Sequence, residues 1–213
     1  WAYSNHDVER HVSRWNLSDD AARAYATLLI CLRGSVCIYQ GEELGLPEAE
    51  IAFEDLQDPY GIEFWPEFKG RDGCRTPMVW HKDNATGGFS TAKPWLPVPA
   101  EHLARAVGAQ AEDAGALVHH YRRALKLRAD HAALAKGDQI SMAAEGDVVT
   151  FRRHLAGENV FVAVNLGEEP AQIAAPQGEG WYVTGADLGS AAPDAKGQIA
   201  LGPWQVSLLI QRD

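Results

Sequence analysis

The sequence predicts two architectures in series, an α/β part followed by an all-β part. Three observations carry this. A helical apolar period from Asp19 runs straight into a short, continuous apolar segment at Ser35–Gln40. A long stretch from Gly41 to about Pro99 then shows many Gly, Pro and aromatic residues and little periodicity. From Gly137 the texture changes to short β-rich runs punctuated by Gly and Pro. A chain of 213 residues suffices for one large domain or two modest ones. The change of texture near 135–138 divides it into 1–136 and 137–213.

The elements follow in order. Trp1–Asp7 is compatible with the end of a strand entering a loop. Ser18 can cap free amides, and Asp19 and Asp20 sit where a helix dipole favours negative charge. Ala21, Tyr25, Leu28, Leu29 and Leu32 then recur with the helical period, and Gly34 is a natural terminator. Ser35–Gln40 has the length and β-branching of a strand buried on both faces, as in a parallel sheet. A second helix is expected over Ala114–Leu134, with Leu117, Tyr121, Ala124, Arg128 and His131 near one face. Its basic residues Arg122, Arg123, Lys126 and Arg128 would form a solvated side. Val148–Arg153 and Asn159–Asn165, separated by His-Leu-Ala-Gly-Glu, form a hairpin signal. Ile173, Trp181–Thr184, Gln198–Leu201 and Trp204–Gln211 continue a small antiparallel sandwich of about seven strands.

Composition excludes several classes of function. Lys+Arg of 19 against Asp+Glu of 29 leaves a net charge of −10, which speaks against nucleic-acid binding and against a polybasic membrane surface. Apolar runs such as Ala26–Leu32 and Val206–Ile210 are far too short to span a bilayer. A hydrophobic content of 46% with 23% charged residues is that of a folded domain, not a disordered one. Seven Trp is high for this length and suits both cores and sugar-stacking clefts. Cys31, Cys37 and Cys74 have no metal-type spacing and read as buried thiols of a cytoplasmic protein. The chain opens at Trp1 inside apparent structure, which suggests a piece of a longer protein.

Three segments hold candidate chemistry. In Asn5-His6-Asp7, a carboxylate beside an imidazole suits acid–base or charge-stabilising work, or the triplet is a plain surface turn. Gln40-Gly41-Glu42-Glu43 follows the apolar run directly, so its acids either do chemistry or satisfy loop amides. Within Lys69–Trp80, the guanidinium of Arg71 is a fixed fork of donors. It suits hydroxyl or carboxylate recognition, or it only pairs with an acid. No G-x-S-x-G, Walker loop, G-x-G-x-x-G or H-E-x-x-H occurs, so nucleotide and zinc chemistry have no support. His119 and His120 are adjacent on a helix, diverge, and are read as non-ligands. No metal and no cofactor is expected.

Taken in order, Trp-Ala-Tyr-Ser-Asn-His-Asp at 1–7, Ile-Tyr-Gln-Gly-Glu-Glu-Leu-Gly at 38–45 and Lys-Gly-Arg-Asp-Gly-Cys-Arg-Thr-Pro-Met-Val-Trp at 69–80 are specific. The chain resembles the C-terminal part of an α-glucosidase of glycoside hydrolase family thirteen, the α-amylase superfamily. It is most similar to the oligo-1,6-glucosidase and bacterial α-glucosidase branch. Gly-Gly-Phe-Ser-Thr-Ala-Lys-Pro-Trp-Leu at 87–96 and Tyr-Arg-Arg-Ala-Leu-Lys-Leu-Arg at 121–128 extend the match.

The resemblance implies a fold: the C-terminal portion of a (β/α)₈ TIM barrel, from the end of strand seven to helix eight, followed by an antiparallel β-sandwich domain. It implies retaining hydrolysis of terminal α-linked glucose from short oligosaccharides, with an aspartate nucleophile and a glutamate acid/base that lie upstream of this chain. Asp7 then matches the aspartate that stabilises the transition state at the −1 sugar. His6 matches a histidine donating to the same sugar, and Arg71 the arginine clamping the non-reducing end. Glu42 and Glu43 would be rim architecture. The partners would be an α-glucoside and the N-terminal part of the same barrel, because an incomplete barrel has open edges. The chain alone would be inactive. The alternatives are a transglucosidase or sucrose isomerase of the same family, or an inactive sugar-binding or structural fragment.

Overall fold

The computed structural model describes residues 1–212. Along the chain the helices are α1 His11–Arg14, α2 Asp19–Cys31, α3 Pro59–Glu63, α4 Ala100–Ala104, α5 Val107–Ala111, α6 Leu117–Asp130 and α7 Ala132–Lys136. The strands follow: β1 Asp138–Glu145, β2 Val148–Leu155, β3 Glu158–Asn165, β4 Ala171–Ala174, β5 Tyr182–Val183, β6 Gln198–Leu201 and β7 Val206–Arg212. The chain forms two compact units. One holds Ala2–Asp19 and Cys37–His119; the other holds Trp1, Asp20–Val36 and the residues from His120 onward.

The second unit is built on ladders. Its main sheet has the order β1-β2-β3-β7-β5, with antiparallel pairs throughout, and β4-β6 forms a separate antiparallel pair. Val148, Phe161, Ala163 and Leu209 from the large sheet pack with Ile199 and Leu201 of the small one. Helix α7 packs on β2 and β3. The central strands β3 and β7 are therefore buried almost along their length, and their runs of Val, Leu and Ile replace the usual alternation. The hairpin has strands longer than the sequence predicts and turns in two residues, Ala156 and Gly157. The strand Asp138–Glu145, which carries no clear sequence signal, is an exposed edge with a bulge between Ile140 and Met142.

Three sequence expectations are corrected here. The helix expected over Ala114–Leu134 is two helices, because His131 leaves helical geometry at φ −115°, ψ 109°. Glu158 then accepts the free Ala133 amide at 2.9 Å and starts α7. Arg128 is not part of a solvated side: it donates to the carbonyls of Ile30, Leu32 and Gly34 where α2 ends. A cation there satisfies orphan carbonyls and complements the helix dipole. Ser35–Gln40 pairs with no strand among the described residues and is largely half-exposed. A parallel strand needs neighbours on both edges to be buried, and this segment has none here.

The first unit has short helices and single turns, as its lack of periodicity implies. Leu44, Leu46, Val79, Ala106, Ala116 and Val118 form one apolar cluster, and Ala49, Ile51, Leu56 and Leu96 form another. Its irregular backbone is satisfied by buried polar side chains. Gln110 donates to the Leu44 carbonyl at 2.8 Å and accepts from the Val118 amide at 3.1 Å. His102 lies between Thr76 Oγ1, at 3.2 Å, and the Pro47 carbonyl, at 2.8 Å. Cys31 and Cys74 are buried, but Cys37 is exposed, contrary to the expectation of three buried thiols. Burial pushes the Cys31 thiol up to about 12 and the Cys74 thiol up to about 11.

Candidate active site

Asn5, His6 and Asp7 lie in a tight turn closed by the Asp7 amide, which donates to Asn5 Oδ1 at 2.7 Å. The turn leaves both side chains that follow Asn5 exposed. His6 Nε2 sits 3.3 Å from Asp7 Oδ2. The other carboxylate oxygen, Oδ1, accepts from Arg71 Nη1 at 3.0 Å and from Arg75 Nη2 at 3.1 Å. Arg75 also donates through Nε to the His6 carbonyl at 2.7 Å, so it holds the turn as well as the carboxylate. The sequence-selected residues Asp7, His6 and Arg71 are thus brought together, although Arg71 lies 64 residues from Asp7.

Arg71 is itself held from behind. Its Nε and Nη2 donate to Asp58 Oδ2 and Oδ1 at 2.8 and 3.0 Å, a bidentate pair, and its amide donates to Asp58 Oδ2 at 2.8 Å. The guanidinium lies over the Tyr60 ring at 5.7 Å. Asp58 is buried, and the hydrogen bond from Arg71 draws its carboxyl down to about 2, while Asp58 in turn pushes Arg71 further toward the charged form. Both groups are therefore ionised across the whole neutral range. Asp72 completes the support: its Oδ2 accepts the amides of Gln57 and Asp58 at 2.6 and 2.8 Å.

A cleft of about 400 Å³ opens on this cluster, with Asp7, Glu9, Glu48, Phe68 and Arg71 among its walls. Its volume suits a small ligand, and its mixture of acids and arginine suits a ligand rich in hydroxyls. Glu48 is the perturbed group on the wall: burial pushes its carboxyl up to about 7. Glu42 is buried, and its Oε2 lies 3.3 Å from the Tyr39 amide, which fits a structural role. Glu43 has a buried carboxylate oxygen, and burial raises its pKa. His120 is buried against Thr27 Oγ1 at 2.9 Å, and His119 Nε2 lies 3.2 Å from the Ala111 carbonyl. Among the described residues no group of three or more His, Cys, Asp or Glu is arranged to hold a metal ion. Among them, too, no helix is long and apolar enough to cross a membrane.

Sequence reasoning missed Asp58, Tyr60 and Arg75. Asp58-Pro59 carries the pattern of a helix cap followed by proline at the first helical position, and Asp58 does accept the Tyr60 amide at 3.3 Å. Nothing local marks it as the partner of Arg71. Arg75 lies one turn on from Arg71, across the 3₁₀ turn Asp72–Cys74, and that spacing was a usable signal.

Residues 1–137 match the α-amylase catalytic domain. A probable α-glucosidase of Rhizobium meliloti is 54% identical over 180 residues, 83% of this chain and 32% of the relative. An oligo-1,6-glucosidase of Parageobacillus thermoglucosidasius is 31% identical over 81% of this chain and 35% of the relative. Among solved structures, an α-glucosyl transfer enzyme, XgtA, is 46% identical and superposes with a TM-score of 0.90 over 100% of this chain and 40% of its own. The trehalulose synthase MutB of Pseudomonas mesoacidophila MX-45 is 26% identical with a TM-score of 0.80, over 99% of this chain and 42% of its own. The chain spans about a third of the length of the curated relatives it matches. Its fold is the C-terminal portion of a (β/α)₈ barrel followed by an antiparallel β-sandwich. The chain belongs to the α-amylase catalytic-domain family, glycoside hydrolase family thirteen.

Proposed function

We propose that this chain is the C-terminal part of a retaining α-glucosidase that removes terminal α-linked glucose from short oligosaccharides. Asp7 stabilises the transition state, His6 donates to hydroxyls of the same sugar, and Arg71 clamps its non-reducing end. The observation that carries the reading is the carboxylate of Asp7, held on Oδ1 by two arginines and lining a cleft of small-ligand size. With Oδ1 occupied, Oδ2 beside His6 is the oxygen left to accept from a sugar hydroxyl. Such bonds lower the barrier when they strengthen as the ring flattens toward the oxocarbenium-like state.

The nucleophilic aspartate and the acid/base glutamate belong to barrel segments upstream of these residues, and the chain alone is inactive. Residues 1–136 form the end of the catalytic barrel and 137–213 the C-terminal β domain. The unpaired segment Ser35–Gln40 supports a role as a barrel strand that takes its ladder partners from that upstream part. The free thiols support a cytoplasmic setting.

Hydrolysis of p-nitrophenyl α-glucoside tests the reading. The 213-residue chain alone is expected to be inert, and the same chain joined to the upstream barrel segments active. Asp7→Asn in the joined protein is expected to lower kcat by about 10²–10³-fold, the scale for loss of one transition-state-stabilising group. Turnover by the chain alone would overturn the account, since the nucleophile and the acid would then lie within it.

A second reading rests on the 46% identity over the whole chain to a protein described as an α-glucosyl transfer enzyme. On that reading the glucosyl group passes to an acceptor hydroxyl rather than to water. An added alcohol acceptor would then raise the yield of glucosylated alcohol above that of free glucose.

A further inference from the structure

We infer that Arg10 is a positioning residue for the Asp7–Arg71–Arg75 cluster, a role that rests on the proposed function of Asp7. Arg10 is 2% exposed and stands three residues after Asp7 at the start of α1. A buried guanidinium is costly unless its donors are satisfied. Here Nη1 and Nη2 reach backbone carbonyls from two other segments, while the buried Nε has no partner. Nη1 donates to the Gln40 carbonyl at 2.7 Å and Nη2 to the Cys74 carbonyl at 3.1 Å. The guanidinium carbon also lies 5.5 Å from the centre of the Tyr39 ring.

Those two carbonyls define what Arg10 joins. Gln40 ends the segment that carries the Gln-Gly-Glu-Glu turn. Cys74 closes the 3₁₀ turn whose neighbours are Arg71 on one side and Arg75 on the other. The Cys74 amide and thiol both donate to the Arg71 carbonyl, at 3.3 and 3.1 Å, so a shift at Cys74 is a shift at Arg71. The backbone of Arg10 adds a fourth segment, donating its amide to Glu48 Oε2 at 2.9 Å. One side chain thus fixes the distance between the loop bearing Asp7 and the turn bearing Arg71 and Arg75. Tyr39 acts in parallel, donating its hydroxyl to the same Cys74 carbonyl at 3.0 Å. The Arg10 side chain has no hydrogen bond to Asp7 and does not line the cleft, whose Glu48 wall takes only the Arg10 backbone amide, so the effect of the side chain on a substrate passes through the cluster.

A lysine keeps the charge and most of the stem but gathers its three donors on one nitrogen, and so lacks the rigid fork that reaches the Gln40 and Cys74 carbonyls from two separate atoms. In the protein carrying the upstream barrel segments, Arg10→Lys is therefore expected to lower kcat/KM about 10²-fold in protein that is still folded at the assay temperature, whatever fall in the unfolding midpoint accompanies it. The scale is that of a misplacement of about 1 Å in a catalytic geometry. The deciding readout is a double-mutant cycle with Asp7→Asn, measured as affinity for 1-deoxynojirimycin by calorimetry. Arg10→Lys should weaken binding about tenfold or more in the parent and leave it unchanged in the Asp7→Asn background. Equal losses in both backgrounds, or an unchanged kcat/KM, would overturn the inference. If Arg10→Lys does not fold, Tyr39→Phe decides by the same cycle, since it removes one hydrogen bond to Cys74 and keeps the ring; a loss of about threefold or more, confined to the Asp7 background, is expected. An Asp7→Asn protein that binds and turns over like the parent would sink the reading of Asp7 instead, a separate outcome.

Discussion

Strands β3 and β7 satisfy one another's amides through seven consecutive residue pairs, from Glu158↔Arg212 to Val164↔Val206, and leave their side chains free to fill a core. The segment from Gly41 to Pro99 has no such ladder among the described residues, and its amides are shared between the carbonyls of local turns and particular side chains. Asp72 takes two of them, Asp58 takes two, and Glu48 takes that of Arg10. The contrast teaches where each region is vulnerable. In the sheet region, stability is a matter of apolar volume; in the loop region, it is a matter of particular oxygen and nitrogen atoms. The second arrangement is also the one that can present Asp7 and Arg71 at a cleft, because loops held from below carry functional side chains on a fixed base.

The largest effect should come from volume in the sheet region. Phe151 on β2 is 1% exposed, and Phe151→Ala is expected to cost about 3–5 kcal/mol. Urea denaturation of the joined protein would measure it. A loss below about 1 kcal/mol would break the claim that this region stands on packing.

Next comes the atom-specific region. Asp72 is fully buried, and Asp72→Ala removes hardly any apolar volume but strands two amides, at about 1–3 kcal/mol each. Asp72→Asn keeps an acceptor oxygen in the same place and should cost clearly less. Equal losses for the two variants, by the same denaturation, would show that volume and not hydrogen bonding governs here too.

Titration sharpens the contrast further. His102 in the loop region and His120 in the other unit are both buried, and burial holds each imidazole down to about 4. The unfolded chain binds these protons from pH 6.5 downward, the folded chain only near 4. Each histidine therefore contributes stability that is complete above pH 6.5 and is lost as pH falls toward 4, on the order of 2–3 kcal/mol each. Glu48 has the opposite sign. Its carboxyl is raised to about 7, so its contribution is lost as pH rises from 4.5 to 7. His120→Gln should flatten the acid limb of a stability–pH curve, whereas Glu48→Gln should raise the neutral end. A Glu48→Gln curve that rises only below pH 4.5 would contradict the assigned sign.

The sequence allowed a good part of this to be read, and the reason differs by region. The sandwich was legible because β-rich runs and their Gly and Pro punctuation are local. The helix Asp19–Cys31 was legible for the same reason, with acids at its start and an apolar period along it. His6, Asp7 and Arg71 were singled out together only through the order of three motifs, since none of the three is marked by its neighbours, and they do lie together. Asp58 and Arg75 stayed hidden because their meaning lies in contacts 13 and 68 residues away. Arg128 was read as solvated because a helix surface charge usually is; its true partners are carbonyls 94 to 98 residues back. The apolar run Ser35–Gln40 has the composition of a buried strand, but pairing is a property of neighbours and not of the run itself.

The smallest effect concerns two glycines that share a backbone conformation and differ in their surroundings. Gly157 turns the β2–β3 hairpin at φ +85°, and a Cβ added there would meet nothing within 4 Å. Gly70 precedes Arg71 at φ +75°, and a Cβ there would lie 2.8 Å from the Gly61 Cα and 2.9 Å from its nitrogen. Gly157→Ala therefore carries only the left-handed penalty, about 1 kcal/mol. Gly70→Ala carries the same penalty plus a backbone collision that only a shift of the Arg71 segment can relieve. The two variants should thus part company in activity more than in stability. Gly157→Ala is expected to lower the unfolding midpoint slightly with kcat/KM unchanged, and Gly70→Ala to lower kcat/KM for p-nitrophenyl α-glucoside by tenfold or more. If Gly70→Ala keeps full kcat/KM, the Arg71 segment tolerates displacement, and the view of this region as one held atom by atom fails at its most exposed point.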